Sequence, residues 1–254
     1  MVMRRVFNRH VCFCVLSTAI LAGLALMTSQ TKVYAAQNCK GLTNSGPSGD
    51  KGDQPIVCDG KSGGTGAGGV LSGRRDIDMS GKSGQAAVTV TGANTKIRIK
   101  STLTVTNSSG TGNNTAIKVD KGGVLMLVGG VNVTGVQKGM EVSGSGSSVT
   151  VMTGSIGVRA QGGGSLIEVS NNGEVVLMKD VKVGTISGNK EVILIDGGGD
   201  VMLMGTRFDN VKTGIVVRGR TGTATVRGGR RLRFREVGVR GLRWRGRRVL
   251  MWGM

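Results

Sequence analysis

Val124-Leu-Met-Leu127, Val149-Thr-Val-Met152, Val175-Val-Leu-Met178 and Val201-Met-Leu-Met204 are β-type runs that recur at a nearly constant spacing. Ile97-Arg-Ile99 precedes them, and Ala224-Thr-Val226 falls near the next expected place. A second series runs between them: Ala116-Ile-Lys-Val119, Met140-Glu-Val142, Leu166-Ile-Glu-Val169, Val192-Ile-Leu-Ile195 and Ile215-Val-Val217. A third follows each member of the first: Val131-Asn-Val133, Ile156-Gly-Val158, Val181-Lys-Val183 and, more weakly, Phe208 to Val211. Each period therefore holds about three short strands, many of them alternating, with Gly, Ser, Asn or Asp between them. Helix signals are nearly absent.

A unit of about 25 residues cannot bury its apolar face alone and must stack on a copy of itself, which makes this period diagnostic of a solenoid. Three strands per coil predict an all-β fold, a parallel β-helix with coils of about 25 residues whose inward Val, Ile, Leu and Met fill the bore. The turns need residues that accept positive φ, which accounts for many of the 46 glycines. A β-sandwich would show strands without a sustained period, and a β-propeller would want longer blades with aromatic signatures. With aromatics at 3%, neither fits. Five to six coils at about 4.8 Å each give a stack on the order of 25 Å long. The repeat is expected over residues 84–217. Residues 37–83 are Gly/Ser/Asp-rich and read as an irregular cap or flexible lead-in.

The N-terminal segment, residues 1–36, reads as a secretory signal. Arg4, Arg5 and Arg9 precede an apolar run from Val11 to Met27, and small residues follow at Val33-Tyr34-Ala35-Ala36. A transmembrane anchor is the competing reading, because the run is about long enough to span a bilayer. Ser17, Thr18, Gly23, Thr28 and Ser29 dilute it, and cleavage beside Ala35 and Ala36 is expected. The mature chain then carries no stable transmembrane segment, and the Sec translocon is its export partner. Cleavage removes Cys12, Cys14 and the single histidine, His10, leaving Cys39 and Cys58. An even pair in an exported chain favours a disulfide between them. It is worth about 3 kcal/mol in the chain-entropy model.

The net charge of +19 is unevenly placed. Residues 36–217 hold 18 basic and 14 acidic side chains, whereas residues 218–254 hold 12 Arg, no Lys and the single acid Glu236. Three readings of this segment stand side by side: a functional basic arm, a degenerate or frameshifted end, and a diverged repeat. Arg with interleaved aromatics binds phosphates and stacks on bases, but an exported protein meets little nucleic acid, so none is expected as a partner. Anionic lipid headgroups fit better. For a diverged repeat, Phe234-Arg-Glu-Val237 echoes Phe208-Asp-Asn-Val211, and Val249-Leu-Met-Trp252 echoes Val201-Met-Leu-Met204.

No catalytic constellation emerges. With His10 removed there is no Ser-His or Cys-His pair, and two thiols are too few for a metal, so no catalytic residue, metal site or cofactor is expected. Asp196 and Asp200 flank Gly197-Gly-Gly199, and Asp209 follows. This spacing suits turn chemistry first, and a calcium site or a sugar-cleaving carboxylate pair second. Lys61-Ser-Gly-Gly-Thr-Gly lacks the order of a phosphate loop. Met126, Met152, Met178, Met202 and Met204 are expected to pack the bore or its outer face rather than bind copper.

Val6-Phe-Asn-Arg-His10, Val33-Tyr-Ala35, Gln37-Asn-Cys39 and Pro55-Ile-Val-Cys-Asp-Gly60 resemble the start of Bartonella-type autotransporter passengers. Val131-Asn-Val-Thr-Gly-Val136, Ser147-Ser-Val-Thr-Val-Met152 and Val201-Met-Leu-Met-Gly205 are similar to the passenger repeats of that family. The resemblance covers roughly residues 1–217. It implies a type V secretion passenger, a β-helix presented to host cells as an adhesin or released effector, with a host cell-surface ligand and no catalytic motif. Family members end in an outer-membrane translocator barrel. Here the Arg-rich segment stands where those strands are expected, so the chain reads as a truncated copy left in the periplasm, where a full-length relative reaches the surface. A non-functional frameshifted product and a β-helix enzyme acting on polysaccharide are the alternatives.

Overall fold

The computed structural model describes residues 39–40, 54–60, 69–93, 95–110, 112–158, 165–185, 191–209, 213–218, 221–227, 233–237 and 250–252. The expected signal, with Ala35 and Ala36, lies outside them. Ala36–Met254 forms one compact unit that holds every described strand.

In chain order the strands are β1 (Cys39–Lys40), β2 (Ile56–Cys58), β3 (Val70–Leu71), β4 (Arg75–Asp78), β5 (Ala86–Thr91), β6 (Lys96–Ile99), β7 (Leu103–Thr106), β8 (Thr115–Asp120), β9 (Val124–Val136) and β10 (Lys138–Ser143). They continue as β11 (Ser148–Val158), β12 (Ile167–Ser170), β13 (Glu174–Thr185), β14 (Glu191–Ile195), β15 (Asp200–Met204), β16 (Arg207–Asp209), β17 (Thr213–Arg218), β18 (Thr223–Arg227), β19 (Arg233–Val237) and β20 (Leu250–Trp252). No helix occurs among the described residues.

The strands form two ten-stranded sheets. The first runs β1-β2-β5-β8-β10-β12-β14-β17-β19-β20 and takes one strand from each coil. The second runs β18-β15-β13-β11-β9-β6-β3, with β4, β7 and β16 attached alongside. Every described pairing is parallel except β1 with β2. The fold is a parallel β-helix.

Register stacks like residues. On the first sheet, Ile117, Met140, Ile167, Ile193 and Ile215 pair in succession, as do Val119, Val142, Val169, Ile195 and Val217. On the second, Leu125 pairs with Val149, Val149 with Val175 and Val175 with Val201, each step being one coil. Ala224 takes the next place, opposite Val201. Val133, Ile156, Val183 and Phe208 form a third column on the far half of that sheet. All of these residues but Phe208 form one hydrophobic core, and Phe208, half-buried, packs against it. Fully burying such a side chain contributes about 1.5–3 kcal/mol, so the columns dominate stability.

Turns convert the first sheet into the second. Asp120, Ser170 and Asp196 each accept, through the main-chain carbonyl, a hydrogen bond from the N–H three residues on, at 3.0, 2.9 and 3.1 Å. Both central residues have positive φ in each case: Lys121 (53°) and Gly122 (83°), Asn171 (51°) and Asn172 (62°), Gly197 (53°) and Gly198 (86°). These are type I′ turns, and Asn or Gly suits that conformation. On the second sheet the long strands β9, β11 and β13 bend midway, and the register of β11 shifts between Val151 and Thr153 against both neighbours. Gly154 sits at this bend with φ of 131°, where a Cβ would run into the Val131 carbonyl.

The solenoid begins earlier and extends later than the sequence pattern predicts. Ile56 pairs with Val88 and Arg75 with Leu103, so residues 37–83 contribute strands β2, β3 and β4 to the sheets as well as Gly-rich connections. Beyond residue 217, β18 joins the second sheet and β19 the first. The two echoes are not structural equivalents. Phe234 pairs with Ile215 in the first sheet, whereas Phe208 pairs with Val183 in the second. Leu250–Trp252 likewise lies in the first sheet and Val201 in the second.

Neighbouring residues of β12 separate the two faces. Ile167 is wholly buried and Glu168 points outward. Ile167→Ala is expected to lower stability by about 2–5 kcal/mol and Glu168→Ala by about 1 kcal/mol or less. Chemical denaturation of both variants checks this, and similar losses would contradict the inward column.

Candidate functional site

The sequence-derived carboxylates do not converge. Asp196 opens a type I′ turn and its Oδ1 accepts the Gly197 N–H at 2.8 Å. Asp200 begins β15, stacks beside Glu174 in the ladder and accepts the Thr223 hydroxyl from the next coil. Asp209 ends β16, opposite Gly184 on the other half of the sheet. Asp196 thus serves a turn and Asp200 a coil-to-coil contact, while Asp209 lies apart from both. No group of three His, Cys, Asp or Glu able to hold a metal occurs among the described residues. Lys61-Ser-Gly-Gly-Thr-Gly and His10 lie outside them. Cys58 is buried and disulfide-bonded. Its Cα partner in the antiparallel β1–β2 ladder is Cys39.

The outer face of the second sheet is unusual. Its inward positions are the Leu and Val of the core, so the residues alternating with them point away from it. Stacked in register, one outward column reads Arg98, Met126, Thr150, Val176, Met202 and Thr225. One position beyond the inward Ile99, Leu127, Val151, Leu177, Leu203 and Val226 lie Lys100, Val128, Met152, Met178, Met204 and Arg227. All five methionines singled out in the sequence therefore lie on the outer face, none in the bore. Val128 and Met152 are exposed at 36% and 39%, and Met126, Met178, Met202 and Met204 are half-buried.

The surroundings are polar and unevenly charged. Lys96 and Arg98 in β6, with Lys100 just after it, make the face basic one strand in from its N-terminal end, where β3 sets Val70 beside Arg98, and Arg227 marks its other end. Glu174 and Asp200 stand along the edge away from Met152 and Met178. Outward neighbours are about 7 Å apart along a strand and about 4.8 Å between coils, so the apolar residues are contiguous. Contiguous exposed apolar surface on a folded unit marks an interaction site. Met in particular offers a flexible, polarisable contact that adapts to its partner.

The first sheet presents a contrasting face. Lys118, Glu141 and Glu168 stack in register. Lys118 Nζ donates to Glu141 Oε1 at 2.9 Å, and Lys138 Nζ bridges Glu141 Oε2 at 3.1 Å and Glu168 Oε2 at 2.7 Å. Burial works against the charge of Lys138, but hydrogen bonds and attraction from Glu168 and Glu141 outweigh it and raise its pKa. Burial likewise works against Glu141, and the bonds from Lys118 and Lys138 outweigh it and hold its pKa below the usual glutamate value. The ladder satisfies its own charges and staples three coils. Further along, the outward positions become Leu194 and Val216, both buried. Sequence reasoning missed this ladder, because the unequal spacing of Lys118, Glu141 and Glu168 reveals it only once the register is known.

No protein-family model matches the chain, and no curated protein or solved structure matches it either.

The folded pKa of Glu141 is depressed, so its contribution is present above the unfolded carboxylate range and lost as pH falls through the folded value. Lys138 is raised, so its share persists until pH climbs above the lysine range. Glu141→Gln is therefore expected to cost about 1 kcal/mol or less at neutral pH, and the cost should shrink as the solution is made more acidic than the ordinary glutamate range. Denaturation midpoints of the two proteins across this range test it; a gap unchanged at acid pH would contradict the ladder.

Proposed function

We propose that this chain is an exported, non-catalytic interaction protein of the autotransporter-passenger type, an adhesin-like β-helix whose outer face engages a host cell-surface ligand. The observation that carries the reading is the outward Met and Val field on the second sheet, set on a rigid parallel scaffold. A β-helix coil needs apolar residues inside, and these lie outside, where only a partner rewards them. Export is supported by the basic, apolar and small-residue order of residues 1–36. It is supported again by the disulfide at Cys58, a bond that persists in oxidising compartments. Cys39 is its proposed partner, since it stands opposite in the ladder. The resemblance of the N-terminal pieces and repeats to passengers gives the same answer. Of the three carboxylates weighed for sugar chemistry, Asp196 is engaged in a turn, Asp200 in a coil contact, and Asp209 lies on the other half of the sheet, so they do not converge on one site.

Purified Ala36–Met254 should bind host cells saturably, and Met152→Asp combined with Met178→Asp should weaken binding by about 2–4 kcal/mol if this is the central contact. Binding that does not saturate, or that the double variant leaves unchanged while its fold is intact, rejects the reading. Peptide mapping without reductant should join the segments that hold Cys39 and Cys58.

A further inference from the structure

We propose that the ligand of this outer face is an anionic phospholipid bilayer, entered by the edge that carries Val128, Met152, Met178 and Met204. This rests on the interaction reading above and names its partner class.

Three observations lead to lipid. The backbone N–H and C=O groups of the central strands are used in parallel pairing to both neighbours, so the face offers no main-chain edge to a peptide. Between the basic ends, the outward column through Met152 and Met178 is apolar for four successive coils, about 14 Å, and supplies no hydrogen-bonding pattern that a specific protein surface would read. What it supplies is an apolar phase bordered by positive charge, with Lys100 in line at one end and Arg227 at the other. Anionic phospholipid has acyl chains beside negative headgroups and no fixed spacing, which such a face matches. Flexible thioethers suit a fluid partner.

Charge placement also argues against a second copy of the chain. Stacked face to face in the same direction, two copies set Lys100 near Lys100; in opposite directions they set Lys100 near Arg227. Both arrangements repel.

The same layout fixes an orientation. Glu174 and Asp200 lie in register on the opposite edge of the face, and both are exposed. A carboxylate is costly to desolvate, so the Glu174 edge stays in water, and the exposed Asp180, opposite Thr153 just past the methionines, limits entry to the Met152 column itself.

The test uses Ala36–Met254 and vesicles of phosphatidylglycerol in phosphatidylcholine, or of phosphatidylcholine alone. Co-sedimentation should favour the anionic vesicles by about tenfold or more, because basic residues near such a surface each contribute to binding. Electrostatic adsorption alone would do this too, so the decisive arm is run in about 1 M salt, where the screening length is about 3 Å. Residual binding should remain there, and Met152→Asp should reduce it about tenfold, the factor expected for losing one buried apolar side chain. An environment-sensitive dye on Met152→Cys should shift to the blue on anionic vesicles, and the same dye on Glu174→Cys should not.

Equal binding of wild type and Met152→Asp at high salt, or two silent dyes, means adsorption by charge alone and overturns the proposal. So does a dimer, seen by ultracentrifugation, that Met152→Asp dissolves. Saturable binding to cells without binding to vesicles leaves the interaction reading standing and removes lipid as the ligand. Insertion into vesicles with no binding to cells upholds the lipid assignment and removes the host-ligand reading.

Discussion

Everything in this molecule depends on parallel, in-register stacking of one coil on the next. Cys58, Val90, Val119, Val142, Val169, Ile195 and Val217 occupy one such column, each beside its counterpart in the neighbouring coil. No coil can bury that residue by itself, so the stability of each is a property of its neighbours. A slip of one residue would turn every inward side chain outward. The bend of β11 shows how the constraint is met, since its register shifts at the same place against β9 and β13 and the corner stays aligned.

Because strands hold the register, turns absorb differences in length. Along the first sheet the coils through Ile117, Met140, Ile167, Ile193 and Ile215 are unequal, longest between Met140 and Ile167 and shortest between Ile193 and Ile215, yet the column is unbroken. Polar groups inside the turns are paired across coils in the same manner. Buried Asn114 donates through Nδ2 to the carbonyls of Met79 at 2.7 Å and Lys82 at 3.1 Å. Ser170 donates to the Ser143 hydroxyl at 3.1 Å and Asn171 to the same oxygen at 3.1 Å. Leaving the buried Asn114 amide nitrogen unpaired would cost about 1–3 kcal/mol. These bonds therefore specify the stacking that the apolar columns drive.

The period and alternation were legible in the sequence because they are local consequences of that stacking. Val149, Val175 and Val201 recur in spacing and in structure, and Ala224 falls where the series places it. Short strands such as Ile56–Cys58 and Arg75–Asp78 were not legible, since Gly and Ser around them hide a pattern that only their partners Val88 and Leu103 reveal. Local likeness misled at Phe234 and Phe208, which share a motif but lie in different sheets. The charge ladder through Lys118, Glu141 and Glu168 is invisible without register. The methionine face was half legible. In Val201-Met-Leu-Met204, alternation separates Met from Val and Leu, but Met is itself apolar, so composition does not say which set faces the core.

That ambiguity, once resolved, bears on function. Along the outward column the fold accepts Arg98, Thr150 and Thr225 as readily as Met126, Val176 and Met202, and the columns inside are continuous beneath all six. Packing of the bore thus places no demand for apolar residues at these positions. The cost of keeping them in water is borne on the outside, at Val128 and Met152 above all. The opposite choice appears on the first sheet, where Lys118, Lys138, Glu141 and Glu168 close on one another and leave little for a partner to satisfy. One scaffold carries a self-satisfied polar face and an unsatisfied apolar one, and the second is where binding energy remains to be gained.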